Sequence, residues 1–456
     1  MAPQDIVIVG AGFSAAALVI HLLKRGFPAS HLTVIGHGLL GAGNAYGCNS
    51  DVFRLNIRED LPIIFSEDPL HFARWAKVHV DDHDAKTHAG YFYLRRDFAK
   101  YINQLIQEYD PQRQLRQIPA NVINIQQNQT LWQLALDTGE SVLAKNLVLA
   151  TGNMPPKWPC PIHINANKTS EKLAAYSLVE NPWSGEWVQT INQTDDIILL
   201  GGGLTALDTI SALENIHHRG KIYIVSPRGK LPPEQATWIR SQKPLWPSQL
   251  TPRTLVRFMR SYLPDASVHS VEWQCAWEEL RPQLNEIWQG FSAQQRAKLS
   301  KRLGWLWSLY RFRASPQSIA AFQKLKQQID IQIGRVKEVQ VNDDDISVNL
   351  NNGTRITGHW VINCTGVGVD GLAENLIINK IAIADALGIS IAVNKHFEVL
   401  RTTSTSWDNL FLLGPGTMGS LGDVVAASAI AAQAERLSLQ LKTRGQRASM
   451  DRPLSA

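Results

Sequence analysis

The feature that most constrains this chain is a strand, glycine turn and helix that occurs twice. Asp5-Ile-Val-Ile-Val-Gly-Ala-Gly-Phe-Ser-Ala15 is an apolar run of strand length. It turns through Gly10 and Gly12 into a helix-like stretch ending near Gly26, and a second strand follows from Leu32 to Ile35. Asp196-Ile-Ile-Leu-Leu-Gly-Gly-Gly-Leu-Thr-Ala206 repeats the unit, with a helix to about His218 and a strand from Lys221 to Val225. Both read G-x-G-x-x-A in its proper setting. Gly10 and Gly201 permit the tight turn, Gly12 and Gly203 let backbone approach a diphosphate, and Ala15 and Ala206 let helix pack on strand. Phe13 and Ser14, like Leu204 and Thr205, then open helices whose N-termini suit an anion.

Each unit is completed alike, by short alternating strands about a turn and an apolar strand ending in Thr-Gly. In the first half these are Val122 to Ile125, Trp132 to Leu136, the turn at Asp137-Thr138-Gly139, and the strand into Thr151-Gly152. In the second they are Ile346 to Leu350, the turn at Asn351-Asn352-Gly353, and the strand into Thr365-Gly366. The expected fold is α/β: two Rossmann-type dinucleotide-binding domains, each with an inserted β-meander, plus a tryptophan-rich helical insertion in the second. Residues 1–165 and 367–456 should form an FAD-binding unit. Residues 166–366 should form an NADPH-binding unit, its insertion at about 232–330.

The assignment of FAD to the first unit follows from the end of the chain. Asn409 to Gly416 is a strand entering a glycine turn, followed by a small-residue helix from about Asp423 to Leu441. This looks like the closing piece of a two-dinucleotide flavoprotein, which makes Gly414, Pro415, Gly419 and Gly422 neighbours of FAD. The second strand of such a unit normally ends in an acid that binds the ribose. Here the position reads Ile35-Gly36-His37, leaving His37 as a substitute partner or a surface residue. The second unit reads Val225-Ser226-Pro227-Arg228, where Ser226 and Arg228 suit a 2′-phosphate and so favour NADPH over NADH.

Composition excludes other classes. Hydrophobic residues make up 44% and charged residues 19%, which is the mix of a water-soluble globular chain. A net charge of +5 without a Lys/Arg block gives no footing for a nucleic-acid or membrane partner. With neither signal peptide nor spanning run, the expectation is a cytoplasmic protein. Cys48, Cys160, Cys275 and Cys364 form no C-x-x-C pair, so electrons would be carried by a bound cofactor.

Further blocks carry a resemblance to a known group. These are Gly41-Ala-Gly43-Asn44-Ala-Tyr46-Gly47, Arg54-Leu-Asn56-Ile57, His71-Phe72-Ala-Arg-Trp75, Leu94-Arg95-Arg96-Asp-Phe98, and Trp307-Ser-Leu-Tyr310-Arg311-Phe312-Arg313. Together with the second glycine loop and Leu412-Leu413-Gly414-Pro415, they make the sequence resemble bacterial FAD/NAD(P)-binding proteins. Those proteins are themselves similar to N-hydroxylating flavoprotein monooxygenases. The resemblance places Gly43, Asn44, Tyr46 and Asn56 beside the flavin. It implies an FAD- and NADPH-dependent monooxygenase that N-hydroxylates a small amine or amino acid through a flavin hydroperoxide, with molecular oxygen as co-substrate. An NAD(P)H-dependent flavin reductase or oxidase serving another acceptor, and a nucleotide-binding redox sensor, stay open, as does a homo-oligomer.

The insertion holds Trp238, Trp246, Trp273, Trp277, Trp288, Trp305 and Trp307. At helical spacing such residues read as core rather than as a substrate cage. Tyr310, Arg311 and Arg313 are candidates to meet a substrate carboxylate. The run His79-Val-Asp81-Asp82-His83-Asp84 with His88 mixes ligand types without metal spacing and reads as a polar loop, so no metal is expected.

Overall fold

The computed structural model describes residues 3–165, 171–173, 177–237, 244–263, 272–343 and 345–450. Trp238 and the unit junction at residue 166 lie outside them.

The first unit is built on a strand buried on both faces. In β1, Gln4–Val9, both Val7 and Ile8 are fully buried, which is why the run is continuous rather than alternating. It lies parallel to β2, Leu32–Ile35, on one side and to β3, Ser141–Leu149, on the other. The first residues of β3 pair instead with the hairpin Val122–Asn128 and Leu131–Leu136, so one long strand serves both the parallel sheet and the meander. Helix α1, Phe13–Lys24, is buried almost all round, and its run Ala15-Ala16-Ala17 lets it lie close to the sheet. Helix α2, Arg95–Tyr109, covers the neighbouring face with Phe98, Tyr101, Ile102 and Leu105.

The second unit repeats the plan. Strand β4, Ile197–Leu200, is followed by helix α3, Leu204–Asn215, and by β5, Ile222–Ser226. Five parallel strands run in the order Leu178–Val179, β6 (Trp360–Asn363), β4, β5 and Ile329–Ile333. A separate meander, Val336–Val341, Ile346–Leu350 and Arg355–Gly358, takes Ile162–Ile164 as a parallel fourth strand. The crossover into the second unit therefore begins a few residues before 166.

Between β5 and Ile329 come α4, Pro252–Tyr262, α5, Glu272–Gly290, α6, Ala293–Arg311, and α7, Pro316–Lys324. Capping boxes at Thr251/Thr254 and Ser292/Gln295 fix where α4 and α6 begin. Leu255, Leu280, Leu284 and Phe291 form the insertion's own small core, with Trp246 and Trp307 packed on it. Helix α7 is different, because Ile319, Phe322 and Leu325 pack into the core of the second sheet. The insertion therefore closes near Ser315 rather than at 330, and α7 is the sheet's crossover helix. Trp273 and Trp277 are buried as expected for core, whereas Trp305 stands 42% exposed.

The chain then returns to the first sheet through β7, Ser406–Leu412, parallel to β3, and ends in α8, Ala427–Met450. Ile430, Ala434, Leu437 and Leu441 of α8 join the first core against α1. The helix starts four residues later than the sequence pattern suggests, because Gly422 takes φ 99° and the Asp423 side chain turns towards the insertion. Among the described residues no helix is long and apolar enough to cross a membrane.

Candidate dinucleotide sites

The two glycine turns are near copies. Gly10 has φ 110° and Gly201 φ 111°, a region where a side chain is strained. A Cβ at Gly10 would lie 2.8 Å from the Ala150 carbonyl carbon, and one at Gly201 2.8 Å from that of Cys364. Each turn is pinned by a hydrogen bond to the end of the second strand, Gly10 N to Ile35 O (2.7 Å) and Gly201 N to Val225 O (2.8 Å). The helices start at extended Gly12 (ψ −171°) and Gly203 (ψ −166°), with no side-chain cap and no acid in the first turn. First-turn amides and the positive end of the helix dipole thus stand at the turn in both units, which fits a diphosphate. Ala15 and Ala206 are fully buried, as the motif requires.

Four separated segments meet at the first turn. Gly41 N donates to Ala11 O (2.9 Å), and a Cβ on Gly43 would come 2.8 Å from the Gly12 Cα, so backbone lies directly on backbone. Asn44 reaches across to Asn153 O (3.0 Å), beyond Thr151-Gly152. Gly414 closes the fourth side, where a Cβ would lie 3.1 Å from the Cβ of Ser14. The Gly414 amide is held by Gln433 of α8 (3.1 Å), and the Gln433 amide donates to Thr417 (2.9 Å). Tyr46 packs against Phe13 and Phe98 at 5.9 and 4.8 Å, and burial pushes its phenol up to about 12. Asn56 is half-buried nearby in sequence, after the buried Arg54, whose guanidinium is spent on Asp82 (2.7 Å). Pro415 starts a single turn beyond Gly414. A Cβ on Gly422 would meet Asn285 of the insertion at 2.6 Å.

The missing acid at the end of β2 has a steric reason. A Cβ on Gly36 would sit 2.7 Å from the Ala11 amide nitrogen, so the loop admits no side chain there. His37 is exposed, and Gln117 holds the loop through Gly36 O (3.1 Å) and Gly38 O (2.9 Å).

At the end of β5 the surroundings differ. Ser226 is buried beside the glycine loop, its Cβ 3.3 Å from where a Cβ on Gly202 would be. Arg228 is exposed, forms no ion pair with any described residue, and stacks its guanidinium 3.9 Å from the centre of the Trp305 ring. Thr365 hydrogen-bonds Asn363 (2.6 Å), and Gly366 takes φ 114° at the crevice edge.

Several contacts join the two units. Arg95 at the start of α2 pairs with Asp208 of α3 (2.6 Å), and Thr151 donates to Asp370 (2.6 Å), the cap of the helix Gly371–Ile378. The segments after the two Thr-Gly ends also meet, with Met154 bridged to Gly368. The insertion docks on the segment after Gly414: Arg281 and Arg311 both bind Asp423 (3.0 and 2.6 Å), and Arg296 donates to Ser420 O (2.7 Å).

This corrects the reading of Arg311 and Arg313 as carboxylate-binding residues for a substrate. Arg311 is buried on Asp423, and Arg313 is buried on Glu278 (2.7 Å), so the carboxylates they meet belong to the chain. Burial opposes charge on Glu278, but Arg281, Arg313 and Arg311 outweigh it and hold the carboxyl below its usual range. Tyr310 stacks on Trp277 at 5.5 Å and meets Trp273 edge-on at 5.2 Å. In the His79–His88 loop, Asp82 is spent on Arg54, and His88 lies 3.0 Å from Glu234. Among the described residues no three His, Cys, Asp or Glu side chains are placed to hold a metal.

Residues 7–154 match the model of the FAD-NAD(P)-binding family. No curated protein matches the sequence. The fold is that of two-dinucleotide-binding flavoproteins. An ornithine N-hydroxylase of Kutzneria sp. 744, in a structure with reduced FAD, NADP+ and L-ornithine, superposes with a TM-score of 0.64 at 13% identity, covering 97% of this chain and 100% of that one. Thioredoxin reductase of Lactococcus lactis gives 0.54 at 10% identity, covering 97% and 99%. The reduced ornithine hydroxylase of Pseudomonas aeruginosa gives 0.63 at 15% identity, again covering 97% and 99%.

Proposed function

We propose that the chain is an FAD- and NADPH-dependent oxidoreductase, most specifically a monooxygenase that N-hydroxylates a small amine or amino acid using molecular oxygen. Residues up to about 160 and from 367 onward form the FAD-binding unit, and the intervening residues form the NADPH-binding unit. The observation that carries this reading is the pair of matching glycine cradles, one inside the segment that matches an FAD-NAD(P)-binding model and the other beside an Arg with no carboxylate partner among the described residues.

FAD, when bound, supplies hydride acceptance and oxygen chemistry, which no side chain here can perform. The protein contributes position. Gly10, Gly12 and the α1 N-terminus receive the diphosphate, while Gly43, Asn44, Thr151, Gly152 and Gly414 wall the first crevice. Gly201, Gly203, Ser226 and Arg228 hold NADPH, with Thr365 and Gly366 at its edge. Arg281, Arg311 and Asp423 fasten the insertion to the Gly419–Asp423 segment that follows Gly414, which steadies the Gly414 side of the crevice. Among the solved structures of this fold, the Kutzneria and Pseudomonas enzymes act on ornithine, which favours the amine or amino acid reading. A disulfide-reducing role is disfavoured because all four cysteines are free and none is paired in sequence with another.

The test is NADPH oxidation and oxygen uptake by the flavin-loaded protein against a panel of amines and amino acids, with mass-spectrometric detection of product. Substrate-dependent uptake with a hydroxylamine product is expected. Turnover with artificial electron acceptors alone would replace this reading with a reductase, and bound flavin without any turnover would replace it with a sensor.

A further inference from the structure

We propose that Trp305, carried by the inserted helix α6, is a positioning residue that holds Arg228 to read the 2′-phosphate of NADPH. The proposal rests on the NADPH reading of the second crevice and extends it to a residue outside the Rossmann unit.

Arg228 differs from five other arginines around the two sites. Arg54, Arg95, Arg281, Arg311 and Arg313 each lie on a carboxylate, whereas Arg228 lies on an aromatic face, 3.9 Å from its centre. Stacking engages the face of the guanidinium and leaves its in-plane N–H groups open to a phosphate, which an ion pair would not. An exposed Arg otherwise loses rotamer freedom when it binds, and a preset stack removes part of that loss before the ligand arrives.

The turn bearing Arg228 is itself fixed. Pro227 restricts the backbone before it, and Gly229, at φ 61°, lies against Ile333. Ser226 and Lys230 abut Gly202 of the glycine loop, so Arg228 projects from a short segment locked to the cradle. That segment, Ser226 to Leu231, contains two cations and no acid. On α6, Trp307 packs into the insertion's core, while Trp305, two residues earlier, stands 42% exposed with its ring against Arg228. Packing explains Trp307; it does not explain a large aromatic left half in water. The stack does, and it gives the insertion a part in choosing between NADPH and NADH.

Calorimetric titration of the flavin-loaded protein with NADP+ and with NAD+ tests this. Trp305→Ala should weaken NADP+ about three- to tenfold and leave NAD+ unchanged, and Trp305→Phe should recover most of the loss. Arg228→Ala should abolish the preference for NADP+, and in that background Trp305→Ala should add nothing further. Equal weakening of both nucleotides by Trp305→Ala, or no weakening of either, overturns the role of Trp305 even if Arg228→Ala behaves as expected. An Arg228→Ala variant that keeps its preference overturns the 2′-phosphate reading itself, and the role of Trp305 with it. An unchanged melting temperature for Trp305→Ala is the accompanying control, expected because the side chain is 42% exposed and belongs to no core among the described residues.

Discussion

The two crevices share one backbone and differ in what surrounds it. At Gly10 and Gly201 the φ angles agree to a degree, and each turn leans on the strand before a Thr-Gly end at the same separation. Their walls have diverged. The first crevice is enclosed by the chain itself, with Gly43 pressed on Gly12 and Gly414 pressed on Ser14. The second is bordered by an inserted helix and offers Ser226 and an exposed Arg228 that lies over Trp305. On the proposed reading the matching turns each serve a dinucleotide, and their surroundings decide which one. A steric block at Gly36 removes the usual acid from one side, while Trp305 presets a cation on the other.

Separating the turns breaks this comparison with the largest expected effect. Gly10→Ala should yield protein that fails to retain FAD, because the Cβ meets the Ala150 carbonyl. Gly201→Ala should retain flavin yet bind NADP+ at least about 100-fold more weakly, the cost of displacing a diphosphate from its amides. Flavin absorbance of the purified variants and calorimetry with NADP+ read the two effects apart.

Next comes the docking that distinguishes the walls. Asp423→Ala leaves Arg281 and Arg311 facing each other without the shared carboxylate, and removing one member of a buried pair costs roughly 3–5 kcal/mol. Urea unfolding should show that loss, and flavin should dissociate more readily. Arg311→Met with Asp423→Leu should recover much of the stability, since a well-packed apolar pair avoids the desolvation penalty.

A smaller effect belongs to the first unit alone. His21 on α1 is buried, and its Nε2 donates to Ile64 O (3.1 Å). Burial lowers its pKa from the ordinary 6.5 to about 4. Between those values the unfolded chain binds the extra proton, so stability is full above about 6.5 and falls as pH drops towards 4, by roughly 3 kcal/mol. His21→Gln should flatten that acid limb, as measured by melting temperature across the window. Smallest of all, His37→Ala should change FAD affinity by less than about threefold, because an exposed group contributes little.

Much of this was legible in sequence because it is local. A strand, a glycine turn and a helix lie within a dozen residues, so their roles are fixed by near neighbours, and both cradles, both meanders and the closing strand appear where the pattern puts them. What escaped was long-range. Arg311 and Arg313 look free until Asp423 and Glu278 fold against them. The end of the insertion was overstepped because the amphipathic pattern of α7 does not say which core it faces. Trp305 has the same local signature as Trp307, and only the fold brings Arg228 to it. Gly36 reads as a loss of an acid, whereas the structure shows a loop with no space for one.

The central claim is tested most directly by mixing the flavin-loaded protein with NADPH and with NADH under anaerobic conditions and following the flavin's visible absorbance. The account predicts bleaching that is markedly faster, at equal subsaturating concentration, with NADPH. Protein that takes up no FAD, or bound flavin that neither nucleotide reduces, would contradict it.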